Sequence, residues 1–243
     1  MKKFLDLKYK TDGNEYNFLD VYLPDKSDFT TVIYFHGGGL ESGSRKLDDN
    51  RLTLVDNGFA VVSVEYSMLP KYHFPDFLFD AAYAVSFVQK NIEAWGGNGK
   101  FVIYGTSAGA YIAMMLNLNC EYYMAADVNP NSISAYISES AQQFAHFNLL
   151  KDRGFDGRIE RIDETAPINY ISGNKQMIPS LLIYYSDDML CRPEENKLMY
   201  ASIKRLMPEA KIEIAEITGT HCDPKHPSEL NDLTISYMNK ILG

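Results

Sequence analysis

The pentapeptide Gly105-Thr106-Ser107-Ala108-Gly109 follows the apolar run Phe101-Val102-Ile103-Tyr104 and opens an Ala-, Met- and Leu-rich stretch over residues 107–118. A strand, a tight turn and a helix in that order lift a serine hydroxyl above a sheet edge, where it can attack an electrophilic carbon. Such a turn is crowded, and small residues two positions either side of the serine relieve the crowding. The helix that begins there aims its first N–H groups at developing negative charge. A second motif, His36-Gly37-Gly38-Gly39, closes the β-rich run 31–35. Consecutive glycines let backbone N–H groups turn towards a common point. Attack of a hydroxyl on an acyl carbonyl leaves negative charge on an oxygen, and one well-placed donor there is worth about 3–4 kcal/mol of barrier. Gly37 and Gly38 are the expected donors, with the N–H of Ala108 as the third. His36 is expected to hold the loop by hydrogen bonding and not to transfer protons.

These residues need a frame. Continuous apolar runs at 31–35, 60–65, 101–104, 133–137 and 180–185, with a weaker one at 211–215, read as strands buried on both faces. Helical spacing covers 76–92, 107–118, 194–206 and 228–241. The first stretch alternates from Phe4 to Tyr22 around Asp12-Gly13-Asn14 and reads as a β-hairpin. The sum is an α/β architecture: a mostly parallel central sheet with an N-terminal antiparallel hairpin and helices on both faces. A chain of 243 residues suits one domain over 1–243. Residues 138–178 break the alternation and read as a short cap-like insertion over one end of the sheet.

The combination of His36-Gly37-Gly38-Gly39 with Gly105-Thr106-Ser107-Ala108-Gly109 resembles the α/β-hydrolase superfamily, and most of all its hormone-sensitive-lipase-like and small bacterial carboxylesterase branch. Val64-Glu65-Tyr66-Ser67-Met68-Leu69-Pro70, then Phe74-Pro75 and Asp80, is similar to a block of that branch, with Glu65 and Ser67 where the branch carries Asp and Arg. The resemblance spans about residues 16–240. It implies the α/β-hydrolase fold and a triad in the order Ser, Asp or Glu, His. His221, in Thr218-Gly219-Thr220-His221, matches the branch's histidine loop. The acid should follow the run 180–185. The similarity of the loop favours Asp188, while Asp187 remains the alternative. Leu40, Met68, Tyr111, Phe144 and His146 are the expected lining of the substrate pocket.

The reading that follows is a carboxylesterase-like serine hydrolase acting on short-chain esters through an acyl-enzyme, acetyl esters of sugars or other small alcohols among them. An amidase or peptidase on the same triad is the alternative, and a non-catalytic small-molecule binder on the same scaffold the third reading. Neither a metal nor an organic cofactor is expected. The spacing of His221, Cys222, Asp223 and His226 matches no strong zinc pattern. A net charge of −9 argues against nucleic-acid and anionic-membrane partners. No apolar run reaches the ~18–20 residues of a membrane span, and no N-terminal apolar stretch suggests a signal peptide. Three scattered cysteines suit free thiols and a cytoplasmic setting. Homo-oligomerisation is left open.

Overall fold

The apolar runs of the sequence become the middle of one nine-stranded sheet. The structure is a computed structural model that describes residues 1–172 and 177–243. Its strands are β1 (Lys2–Lys8), β2 (Phe18–Leu23), β3 (Phe29–Phe35), β4 (Ala60–Val64), β5 (Gly97–Thr106), β6 (Ile133–Glu139), β7 (Ser180–Asp187), β8 (Ile212–Thr220) and β9 (Asp223–Pro224). Its helices are α1 (Asp49–Asp56), α2 (Asp76–Trp95), α3 (Ala108–Leu118), α4 (Glu121–Ala125), α5 (Phe147–Asp152), α6 (Arg192–Leu206) and α7 (Pro227–Leu242). The order across the sheet is β1-β2-β4-β3-β5-β6-β7-β8-β9. From β4 to β8 every pairing is parallel, and the β1–β2, β2–β4 and β8–β9 pairings are antiparallel.

Alternate residues of each central strand feed opposite faces, which explains why the runs are predominantly apolar instead of alternating. Ile33, Phe35, Val62 and Ile103 face α2 and α3 and meet Phe77, Val85 and Ile112. Val32, Tyr34, Val61 and Val102 face the other way, against Leu54 of α1 and Leu230 and Met238 of α7. A third cluster joins Met114 of α3, Leu182 of β7 and Met199 and Ile203 of α6. The fold is therefore the expected α/β-hydrolase arrangement, with helices on both faces.

Boundaries differ where polar residues masked them. The β1–β2 hairpin has a long connection, 9–17, with Asp12 Oδ1 accepting the Asn14 N–H at 3.0 Å near its tip. β5 begins four residues before the apolar run, at Gly97. β6 runs through Ser138 and Glu139, so the segment expected as an insertion starts no earlier than 140. Residues 173–176 of that segment lie outside the described residues.

Candidate active site

The turn between β5 and α3 sets Ser107 at φ 54°, ψ −114°, a positive-φ conformation rarely adopted by a residue with a side chain. Close packing around the turn explains its glycines. A Cβ on Gly105 would stand 2.1 Å from the Gly109 carbonyl oxygen, and one on Gly109 would stand 2.0 Å from the Phe35 carbonyl oxygen. The Ser107 N–H donates to the Glu139 carbonyl at 2.8 Å, which ties the turn to the end of β6. Ala108 is the first residue of α3, and the first N–H groups of a helix have no acceptor within it.

The glycine loop leaves the end of β3 beside this turn. A Cβ on Gly37 would lie 3.2 Å from Ser107 Cβ, so the loop runs directly against the serine. His36 is buried and holds the loop. Its Nδ1 donates to the Gly37 carbonyl at 2.7 Å, its Nε2 pairs with Glu65 Oε1 at 2.8 Å, and its ring stacks on Tyr66 at 4.4 Å. In a trans peptide the C=O and the next N–H point in opposite directions. Fixing the Gly37 carbonyl towards His36 thus fixes the Gly38 N–H away from it. Glu65, which stands where the similar branch has Asp, is the partner that orients the histidine.

His221 follows β8 and reaches back across the sheet end. Ser107 Oγ lies 2.8 Å from His221 Nε2, and His221 Nδ1 lies 2.6 Å from Asp188 Oδ1. A carboxylate oxygen only accepts, so Nδ1 carries the proton and the Nε2 lone pair faces the serine hydroxyl. The Asp188 side chain is fully buried. Burial alone would raise its pKa, but hydrogen bonds from His221, Ser140 and the Met189 N–H together outweigh it and hold the carboxyl below its ordinary value. Asp187 is exposed at the last position of β7 and makes no bond to His221.

Several neighbours carry no recognisable motif. Ser140 has a positive φ of 58° and donates its hydroxyl to Asp188 Oδ2 at 2.6 Å, while its oxygen lies 2.9 Å from His221 Nδ1. Arg192 donates to the Ser140 carbonyl at 2.6 Å. Glu139 is buried directly behind the Ser107 turn. It accepts from Tyr104 at 2.8 Å, Thr106 at 3.1 Å and Tyr185 at 2.6 Å, and pairs with Arg51 of α1. A charged residue ending the apolar run 133–137 was the one available signal for this network.

In front of Ser107 lies a cavity of about 420 Å³ lined by the glycine loop, His221, Phe147, Asn148, Met189 and Cys222. This corrects the expected lining. Leu40, Met68 and Tyr111 are packed into the core, and Tyr111 spends its hydroxyl on the Thr165 carbonyl at 2.6 Å. His146 is buried one residue before α5, where Nδ1 accepts the Asn148 N–H at 3.2 Å; burial, with Arg192 and Lys151 nearby, pushes its pKa down to about 3. Phe144 does not border the cavity; its N–H is held by Glu195 at 3.3 Å. The reason is one of register: the short helix α5 presents its first two residues, Phe147 and Asn148, and not those just before it. A larger cleft of about 620 Å³, bordered by Lys10, Asp12, Ser67, Tyr72, Asp76, Asp80 and Tyr83, shares no lining residue with this cavity; its Ser67 hydroxyl donates to the Asp80 carboxylate, and no histidine lines it. Cys222 is a free, half-buried thiol whose pKa is raised by desolvation and by the Glu139 and Asp188 carboxylates, and Cys191 is free and exposed.

Residues 19–151, more than half of the chain, match the BD-FAE family. The chain belongs to the BD-FAE family. That match takes in the glycine loop, the Ser107 turn and Asn148. Among curated proteins, this BD-FAE member is 22% identical over 209 residues to esterase LipC of Mycobacterium tuberculosis, covering 77% of the chain and 51% of LipC. It is 23% identical over 240 residues to esterase LipQ of the same organism, covering 89% of the chain and 56% of LipQ. The chain thus spans about half the length of these relatives. Among solved structures, esterase B of Lactobacillus rhamnosus superposes with a TM-score of 0.81 at 16% identity, over 99% of this chain and 85% of that one. A truncated carbohydrate esterase from gut microbiota superposes with a TM-score of 0.76 at 17% identity, over 97% of this chain and 96% of that one. At these identities the likeness is one of fold. No helix among the described residues is long and apolar enough to cross a membrane.

Proposed function

We propose that this protein is a serine hydrolase that cleaves short-chain carboxylic esters through an acyl-enzyme. The observation that carries the reading is the continuous path from Ser107 Oγ to His221 Nε2 at 2.8 Å and from His221 Nδ1 to Asp188 Oδ1 at 2.6 Å. Ser107 attacks the ester carbonyl while His221 takes its proton. Asp188 holds the imidazole in the productive tautomer and stabilises the imidazolium. The N–H groups of Gly37, Gly38 and Ala108 receive the oxyanion. His221 then returns the proton to the departing alcohol, and water repeats the sequence on the acyl-enzyme. The cavity size, with Phe147, Met189 and Cys222 on its walls, suits a small apolar acyl group. The alcohol side is open to small alcohols, acetylated sugars included, and the fold likeness to a carbohydrate esterase supports testing them.

The test is hydrolysis of p-nitrophenyl esters from acetate to dodecanoate, with sugar acetates and a matched p-nitroanilide, by wild type and Ser107→Ala. The expected result is a maximum at short chains and a loss on the order of 10⁶-fold in the variant. Cleavage of the anilide in preference to the ester would replace the reading with an amidase. Folded wild type inert on every substrate would overturn it.

A further inference from the structure

Three peptide planes make up the glycine loop, and each is held by its carbonyl. Gly37 O accepts from His36 Nδ1 at 2.7 Å. Gly38 O accepts from the N–H groups of Glu41 and Ser42, at 3.2 and 3.0 Å, and from Ser42 Oγ at 3.0 Å. Both sets of donors lie within six residues of the loop. The third is different: Gly39 O accepts from Asn148 Nδ2 at 2.8 Å, from a residue 109 positions away. Gly39 has φ 67°, and the amide stands so close that a Cβ on Gly39 would lie 2.9 Å from Asn148 Nδ2. A run of three glycines has no side chains of its own to restrict it, so its geometry depends on such outside contacts.

Asn148 is itself held on every side. It is 4% exposed. Its Oδ1 accepts from Lys151 Nζ at 3.1 Å, which turns the amide so that Nδ2 faces the carbonyl. Its backbone N–H is capped by His146 Nδ1 at 3.2 Å. Burial keeps His146 neutral and therefore able to accept. Further along α5, Asp152 pairs with His73 at 2.8 Å, on the segment that follows β4. Among the described residues between β6 and β7, one short helix reaches the cavity wall, and its hydrogen bond to the glycine loop comes from the Asn148 amide.

We propose that Asn148 is a positioning residue for the reaction: it clamps the Gly39 peptide and thereby sets where the Gly37 and Gly38 N–H groups stand when negative charge develops. This rests on the reading of Ser107 as an ester-cleaving nucleophile. On this account the insertion buttresses the oxyanion loop as well as shaping the pocket.

Two variants separate the clamp from a plain packing role. Asn148→Asp keeps the size and the Lys151 contact but sets an acceptor against the Gly39 carbonyl. Asn148→Ala removes both contacts. In each, kcat on the best p-nitrophenyl ester should fall about 10- to 100-fold, less than the loss of a whole donor, with KM within about twofold. Affinity for a trifluoromethyl ketone, which forms an oxyanion on Ser107, should fall by the same factor as kcat. Hydrogen–deuterium exchange of residues 36–42 should quicken, and this readout does not depend on any esterase activity. Unchanged exchange there in either folded variant overturns the clamp. Quickened exchange with kcat and ketone affinity unchanged overturns its role in the reaction. A wild type inert on esters whose loop exchange still quickens in the variants supports the clamp and removes the esterase reading instead.

Discussion

Ser107 is held at a backbone conformation that costs it stability, and the cost can be measured. A side-chain-bearing residue at φ 54°, ψ −114° carries strain of about 1–3 kcal/mol. Glycine would relieve that strain while losing about 0.5–1 kcal/mol through extra freedom in the unfolded chain. Ser107→Gly should therefore be inactive yet more stable than Ser107→Ala by on the order of 1 kcal/mol, read from urea denaturation midpoints. A Ser107→Gly protein less stable than Ser107→Ala by about 0.5–1 kcal/mol, the loss expected from glycine's freedom alone, would mean that the turn is unstrained. The acid can be decided at the same scale. Asp188→Asn leaves His221 without the acceptor that fixes its tautomer, and kcat should fall about 10⁴-fold. Asp187 is exposed and clear of His221, so Asp187→Asn should stay within about twofold. The Ser107–His221 pairing could be anticipated from the sequence because each residue stands in a short local pattern. Ser140 could not, because nothing in Glu139-Ser140-Ala141 announces that its hydroxyl will meet a carboxylate 48 positions later.

Among the elements, the ends of β5, β6 and β7 are bound together by one buried carboxylate. Glu139 on β6 receives hydroxyls from Tyr104 and Thr106 on β5 and from Tyr185 on β7, and the Arg51 guanidinium from α1. Burial works against the arginine's charge, and the Glu139 carboxylate restores it, so its pKa is raised. Removing one partner of such a pair strands the other charge out of water, at about 3–5 kcal/mol. Glu139→Ala should lower the unfolding free energy by that amount in chemical denaturation. A loss below about 1 kcal/mol would show that water reaches Arg51. The strands of this network were legible as apolar runs. The short helices were not: α1 has eight residues and α5 has six, too few turns for a repeating apolar face to stand out. Phe144 and His146 were misplaced for that reason, since the residues of that segment that line the cavity are the first two of α5.

At the scale of the whole molecule, the parallel sheet was legible because burial on both faces leaves its central strands predominantly apolar, and the long crossover helices needed only their spacing. Polar residues placed inside the protein were harder to foresee, because tertiary partners alone make them tolerable. Glu195 on α6 is such a residue. Its Oε2 accepts the N–H groups of Gln143 at 2.6 Å and Phe144 at 3.3 Å, and so pins the segment that leads into α5. Burial raises its pKa from 4.5 to about 7; Arg192 and the two N–H groups pull it down, and Glu160 pushes it up. A carboxyl whose pKa is higher folded than unfolded binds its proton more tightly in the folded state. Its contribution to stability is full below pH ~4.5 and is lost as pH rises through ~7. The lowered carboxyls, Asp188 and Asp163 (the latter to about 2), act with the opposite sign: their contribution is present above pH ~4 and is lost as pH falls through their folded values. Stability should therefore drop on both sides of a maximum near pH 5. Glu195→Gln keeps a carbonyl oxygen for the two N–H groups and removes the titration. The variant should match wild type at pH 5 and exceed it at pH 8 by up to about 3 kcal/mol, as measured by denaturant midpoints at the two values. Parallel curves for the two proteins from pH 5 to 8 would show that Glu195 stays ionised throughout, with its charge carried by Arg192 and the two N–H groups.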